Sequence, residues 1–227
     1  MVISISKDQD YNRTSANYLE REIVDLCKTK NQVFIALSGG STPLPILEDL
    51  RKRDLNWEQL HFFMVDERTV PINDPNSNYG AIDRIFFKHV SSKSSPMFHE
   101  GRTIDENVGA YEALLKEFVP LNNDGFPVFD LILLGMGDDG HTASLFPRTS
   151  ALNENKRIVV RNEVPQLNTT RITLTYPAIL SANGLIVLMK GEVKRQIYKE
   201  VISEVETSYP IQKIVTEYKN LKWIIQN

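Results

Sequence analysis

The chain has 227 residues, 41% hydrophobic and 24% charged, the balance of a folded globular protein with a core large enough for one sizeable α/β domain. With 26 Lys and Arg against 29 Asp and Glu the net charge is −3, which gives no support to a polyanion partner, and no nucleic-acid partner is expected. The single cysteine, Cys27, excludes a disulfide framework within the chain. No run reaches the roughly 18 apolar residues of a membrane span, and the start MVISISKDQD lacks the basic and apolar regions of a secretion signal. A cytoplasmic protein with no membrane partner is expected.

Val2–Ser6 alternates apolar and polar residues, as an edge strand does. Ser15–Lys30 has helical periodicity: Ala16, Leu19, Ile23 and Leu26 form one stripe, with Thr14 or Ser15 as the N-cap and Cys27 on the inner face as a small apolar residue. Val33–Leu37 (VFIAL) predicts a buried strand that runs into SGGSTP, Ser38–Pro43. Thr42 suits an N-cap and Pro43 a first helical residue, predicting a helix over about 43–52. A strand, a Gly-Ser loop and a helix N-terminus together favour an anion, although an ordinary βα turn has the same composition.

Leu60–Val65 (LHFFMV) predicts another buried strand, its Met and Phe residues core. It ends in Asp66, Glu67 and Arg68, either strand-end charges or part of a site, followed by the turn-rich TVPINDPNSNYG. Asn78–Val90 and Asn107–Val119 predict helices, Ser91–Ser95 a polar loop, Met97–Glu100 a strand, and 120–127 a connector. Asp130–Pro147 reads DLILLGMGDDGHTASLFP: a short buried strand, Leu131–Leu134, broken by Gly135, Gly137 and Gly140, with Asp138, Asp139 and His141 just past its carboxyl end. In open α/β sheets ligands bind at that end. Strands are predicted at Arg157–Val160, Arg171–Thr175, Leu185–Met189 and Trp223–Gln226, with a short helix from Pro177 and another after Gly191 carrying Val193, Ile197, Val201 and Ile202. Strands alternating with helices predict a single α/β domain over 1–227, a mainly parallel central sheet with helices on both faces. No apolar stripe is left over, and a monomer or weak homodimer is expected.

Three loops, SGGSTP, DERTVP and GMGDDGHTASLFP, thus stand at strand ends. In sequence and order they resemble the 6-phosphogluconolactonases of the glucosamine-6-phosphate deaminase/isomerase-like superfamily, over essentially the whole chain. The resemblance implies a Rossmann-like fold of the NagB type. It implies hydrolysis of a small sugar-phosphate lactone, 6-phospho-D-glucono-1,5-lactone, to 6-phosphogluconate, the second step of the oxidative pentose phosphate pathway. It implies no metal or organic cofactor. His61, His89, His99 and His141 show no paired ligand spacing, although Asp138, Asp139 and His141 leave a weak metal reading open.

Chemically, a lactone carbonyl needs an aimed water and a base. His141 suits the base, and Asp139 can fix its tautomer, a pairing the resemblance also implies. Backbone N–H groups of Gly135–Gly137, or the guanidinium of Arg68, are the oxyanion donors to choose between. For the phosphate the resemblance points to Ser38, Gly39, Gly40, Ser41 and Thr42, with Arg68, Arg171 and Lys194 as cations. Asp66 is expected to accept from sugar hydroxyls or to orient Arg68, and Gly137 to lie in the substrate site.

The nearest alternative is a deaminase or isomerase of the same superfamily, which resembles this chain less well. Such enzymes carry an aromatic residue where Arg68 stands and a glutamate where Phe146 stands. A non-enzymatic sugar-phosphate sensor is a further alternative. It needs no Asp139–His141 pair, and with a strand expected from Val2 no DNA-binding helix-turn-helix is expected ahead of the fold.

Overall fold

The computed structural model describes residues 1–5, 8–203 and 207–226. The elements are β1 (Val2–Ile5), α1 (Asp8–Thr29), β2 (Val33–Leu37), α2 (Pro43–Leu50), β3 (Leu60–Met64), β4 (Asp66–Arg68), α3 (Asn78–Ile85), β5 (Lys93–Ser95) and α4 (Ile104–Phe118). There follow β6 (Leu131–Gly135), β7 (Val159–Val164), β8 (Thr169–Leu174), α5 (Tyr176–Leu180), β9 (Leu185–Met189), α6 (Glu192–Ile202), α7 (Ile211–Glu217) and β10 (Lys222–Gln226). Seven strands form one sheet in the order β1-β10-β9-β6-β2-β3-β5, and every pairing in it is parallel. Every residue of β2, β3 and β9 is buried, as expected for strands covered on both faces. From β2 the chain proceeds to β3 on one side, and it later returns to place β6 on the other. The loops after β2 and β6 therefore leave neighbouring strands in opposite directions, opening a crevice at the carboxyl edge of the sheet.

The three-stranded antiparallel sheet β4-β8-β7 is the main departure from the sequence expectation. Val65 is the step between the sheets: its N–H donates to Leu37 O (3.0 Å) and its carbonyl accepts from Leu174 N (2.8 Å). Asp66, Glu67 and Arg68 are thus a strand of the second sheet, with Asp66 opposite Thr173 and Arg68 opposite Arg171. The flanking strands are longer than predicted because this ladder extends them past their apolar residues.

Several boundaries also move. The strand expected over Val2–Ser6 is seen over Val2–Ile5, at the sheet edge, and Ser6 lies outside the described residues. α1 runs through Thr14 and Ser15, which therefore are not its N-cap, because the apolar stripe continues back to the fully buried Tyr11, whose hydroxyl donates to Ile224 O (3.2 Å). Cys27 is only half-buried. Thr42 stands at the start of α2 but makes no side-chain cap bond, and the helix stops at Leu50. The helix expected over Asn78–Val90 breaks at Phe86, and a separate turn of 3-10 helix follows. The polar loop is in fact β5, an edge strand whose hydroxyls are satisfied by Tyr79 (Ser94 Oγ, 2.8 Å) and His61 (Ser95 Oγ, 2.8 Å), and no strand forms at Met97–Glu100. α4 starts early because Thr103 and Glu106 form a reciprocal capping box. α7 has no counterpart in the sequence reading, and Val193 and Ile202 of α6 remain exposed.

Candidate active site

The loops after β2, β4 and β6 meet in a cleft of about 230 Å³. Ser38, Gly39, Gly40, Ser41 and Thr42 form one wall, Asp66 and Arg68 a second, and Gly135, Met136, Gly137 and His141 a third. Lys194 of α6 reaches the rim, where its ammonium lies 3.9 Å from Asp138.

The Ser38–Thr42 loop is bound to its neighbours at the root. Ser38 N donates to Leu133 O (2.9 Å), and Ser38 Oγ accepts from Gly135 N (3.3 Å), locking the ends of β2 and β6 together. Gly40 has φ +98°, a conformation open to glycine and costly for other residues. Gly39 is demanded by space: a Cβ there would lie 2.0 Å from Asn78 Oδ1. Asn78 lines the cleft too, and its amide donates to Asp66 O (3.1 Å). Sequence reasoning missed Asn78 as a site residue. Its only signal was its place at the first position of a helix directly after a turn-rich loop.

His141 is held by its own loop. Its Nδ1 lies 2.5 Å from Asp139 Oδ1, the same oxygen accepts its backbone N–H (3.1 Å), and its carbonyl accepts from Gly137 N (2.8 Å). With Nδ1 facing a carboxylate, Nε2 is the ring nitrogen left for chemistry. Burial raises the Asp139 carboxyl, but the His141 hydrogen bond, its charge and backbone donors outweigh this and leave it below the usual carboxylate range. Asp139 does not line the cleft; it stands behind His141. Phe146 stacks on the imidazole at 4.0 Å between centroids and 26° between planes. A Cβ on Gly137 would lie 2.1 Å from His141 Cε1, so this glycine leaves the room the ring occupies.

Asp66 is buried, and its Oδ2 accepts from Ser144 Oγ (2.7 Å). Ser144 is fixed in turn through Thr173 Oγ1 (3.2 Å) and Asn162 Nδ2 (2.8 Å). Ala143, between His141 and Ser144, has φ +49°, strain at the cleft wall that this network maintains.

Arg171 does not line the cleft. It sits beside Arg68 across the β4–β8 ladder. Burial, and then repulsion from Arg68, lowers its pKa, while Asp66 and Glu67 pull the other way. Two of the backbone oxyanion candidates are already engaged: Gly135 N on Ser38 Oγ and Gly137 N on His141 O.

An open parallel sheet with a Gly-Ser loop and a carboxylate–histidine pair at its switch point has the arrangement of an enzyme that acts on a small molecule. Residues 6–223 match the family described as glucosamine-6-phosphate isomerases/6-phosphogluconolactonase, and the chain belongs to that family. It is 36% identical over 216 residues to a 6-phosphogluconolactonase of Haemophilus influenzae, covering 91% of this chain and 90% of that one. It is 35% identical over 199 residues to a 6-phosphogluconolactonase of Chlamydia trachomatis, covering 86% of this chain and 75% of the relative. The solved 6-phosphogluconolactonase of Trypanosoma brucei superposes with a TM-score of 0.90 at 26% identity, covering 100% of this chain and 95% of that one. No helix among the described residues is long and apolar enough to cross a membrane.

Proposed function

We infer that this chain hydrolyses 6-phospho-D-glucono-1,5-lactone to 6-phosphogluconate, the second step of the oxidative pentose phosphate pathway. The observation that carries the reading is the Asp139–His141 pair opening onto a cleft whose opposite wall is the Ser38–Thr42 loop. In our reading the phosphate lies against that loop and Arg68, with Lys194 closing the rim. Two guanidinium groups, Arg68 and Arg171, held beside each other repel, and a bound dianion relieves that repulsion. Asp66, tethered by Ser144, accepts from a sugar hydroxyl.

His141 Nε2 takes a proton from water as the water oxygen bonds to the lactone carbonyl carbon. Asp139 stabilises the imidazolium so formed. The tetrahedral intermediate then collapses, the carbon–ring-oxygen bond breaks, and the imidazolium returns its proton to the departing ring oxygen. Phe146, in place of the glutamate expected of a deaminase, gives the histidine an apolar stacking partner and no second carboxylate for ring opening. The test is phospholactone hydrolysis, with the lactone generated in situ from glucose 6-phosphate, beside deamination of glucosamine 6-phosphate. Accelerated lactone hydrolysis alone is expected. Deamination without lactone hydrolysis would overturn the reading.

A further inference from the structure

Glu67 does not line the cleft, yet at 1% exposure it is almost wholly buried, and both of its carboxylate oxygens are engaged. Oε1 accepts the N–H of Arg68 (2.8 Å) and of Asn78 (2.7 Å). Oε2 accepts the N–H of Tyr79 (2.7 Å) and the hydroxyl of Ser77 (3.2 Å). Ser77 is the N-cap of α3, and Asn78 and Tyr79 are its first residues, where backbone N–H groups lack helical partners and a negative charge is favoured. One carboxylate therefore joins the end of β4 to the start of α3 across the long loop 69–77. The loop has little slack: Arg68 Nη1 donates to Asn76 O (2.5 Å), and a Cβ on Gly80 would lie 1.8 Å from Ile72 O.

Two cleft residues depend on this junction. Arg68 comes from β4 and Asn78 from α3, and both face the Ser38–Thr42 loop, with Asn78 pressed against Gly39. We propose that Glu67 is a positioning residue for the phosphate end of the cleft, fixing Arg68 and Asn78 relative to the Ser38–Thr42 loop without touching substrate itself. The proposal rests on the assignment of the phosphate to that loop and Arg68. An amide cannot replace the carboxylate. Each oxygen takes two donors, and whichever way a glutamine is turned, its NH₂ group meets two of them.

The experiment measures KM for the phospholactone and the inhibition constant of 6-phosphogluconate in wild type, Glu67→Gln, Glu67→Asp and Arg68→Ala. Both Glu67 variants are expected to raise both constants about tenfold, the scale of losing one charge-assisted hydrogen bond at the ligand. Neither constant depends on the fraction of folded enzyme. A role in stability alone would lower apparent kcat and Tm with both constants at wild-type values, and that result overturns the proposal. Should Glu67→Gln fail to fold, Glu67→Asp, which keeps the charge and loses one methylene of reach, is judged by the same criterion. If Arg68→Ala weakens 6-phosphogluconate and the Glu67 variants do not, the positioning role alone falls. If Arg68→Ala also leaves both constants unchanged, the phosphate assignment falls and the proposal with it.

Discussion

Replacing Gly137 by alanine isolates the placement of the histidine from everything else in the cleft. The added Cβ would lie 2.1 Å from His141 Cε1, 2.2 Å from Nδ1 and 2.9 Å from Asp139 Oδ1. Ordinary contact begins near 3.5 Å, so the ring has to retreat by roughly 1.4 Å. Phe146, stacked on the ring at 4.0 Å, restricts how it can swing. The hydrogen bond that His141 Nδ1 donates to Asp139 Oδ1, 2.5 Å long, then loses its geometry. A displacement of about 1 Å at a reacting group is worth on the order of 100-fold in rate, so kcat is expected to fall about that much. KM should change little, since the phosphate wall is untouched. Gly137 is not among the glycines with positive φ, so alanine brings overpacking without backbone strain, and the stability cost should stay within about 1–3 kcal/mol. The assay is steady-state hydrolysis of phospholactone made in situ, with thermal unfolding alongside. Gly109→Ala, on an exposed helix face where a Cβ meets nothing, is the control. A folded Gly137→Ala with wild-type kcat would refute the claim that the ring must sit where it does.

Gly39→Ala drives its Cβ to 2.0 Å from Asn78 Oδ1, so it should raise KM and the 6-phosphogluconate inhibition constant while kcat at saturation stays closer to wild type; a selective loss of kcat would contradict this. His61 is buried at the far end of β3, and burial, then the charge of Lys93, lowers its pKa from 6.5 to about 4. Between those values the unfolded chain binds a proton the folded chain does not. Stability should therefore fall as pH drops from 6.5 towards 4, by roughly 3 kcal/mol over the window, and level off below it. Urea unfolding of wild type and His61→Gln across that range checks it: equal pH slopes in the two would exclude His61 as the source.

The sequence makes most of the large sheet legible, because its central strands are unbroken apolar runs such as VFIAL and LIVLM, closed by Ser38 and Lys190. Two strands of the small sheet, β7 and β8, were legible too, but β4 and the pairing of the three into a separate sheet were hidden for a physical reason. β4 is Asp-Glu-Arg, and its strand character comes from pairing with β8 and from the step at Val65, neither of which leaves a local pattern. β5 was hidden likewise, since its serines are satisfied by side chains distant in sequence. At the site, Ser38–Thr42, Asp66, Arg68 and His141 stood out as polar groups at strand ends, and the structure gathers them in one cleft. Asn78 did not, and Glu67, noted only as one of three charges at a strand end, carried no role, because the contacts of both run across the loop 69–77.

The most direct test of the central claim is the turnover of His141→Ala beside wild type on the phospholactone, each measured against spontaneous hydrolysis. The account predicts that wild type accelerates hydrolysis while His141→Ala loses at least about 100-fold in kcat, with nearly unchanged inhibition by 6-phosphogluconate. A folded His141→Ala that turns over at the wild-type rate would contradict it and remove His141 from the mechanism.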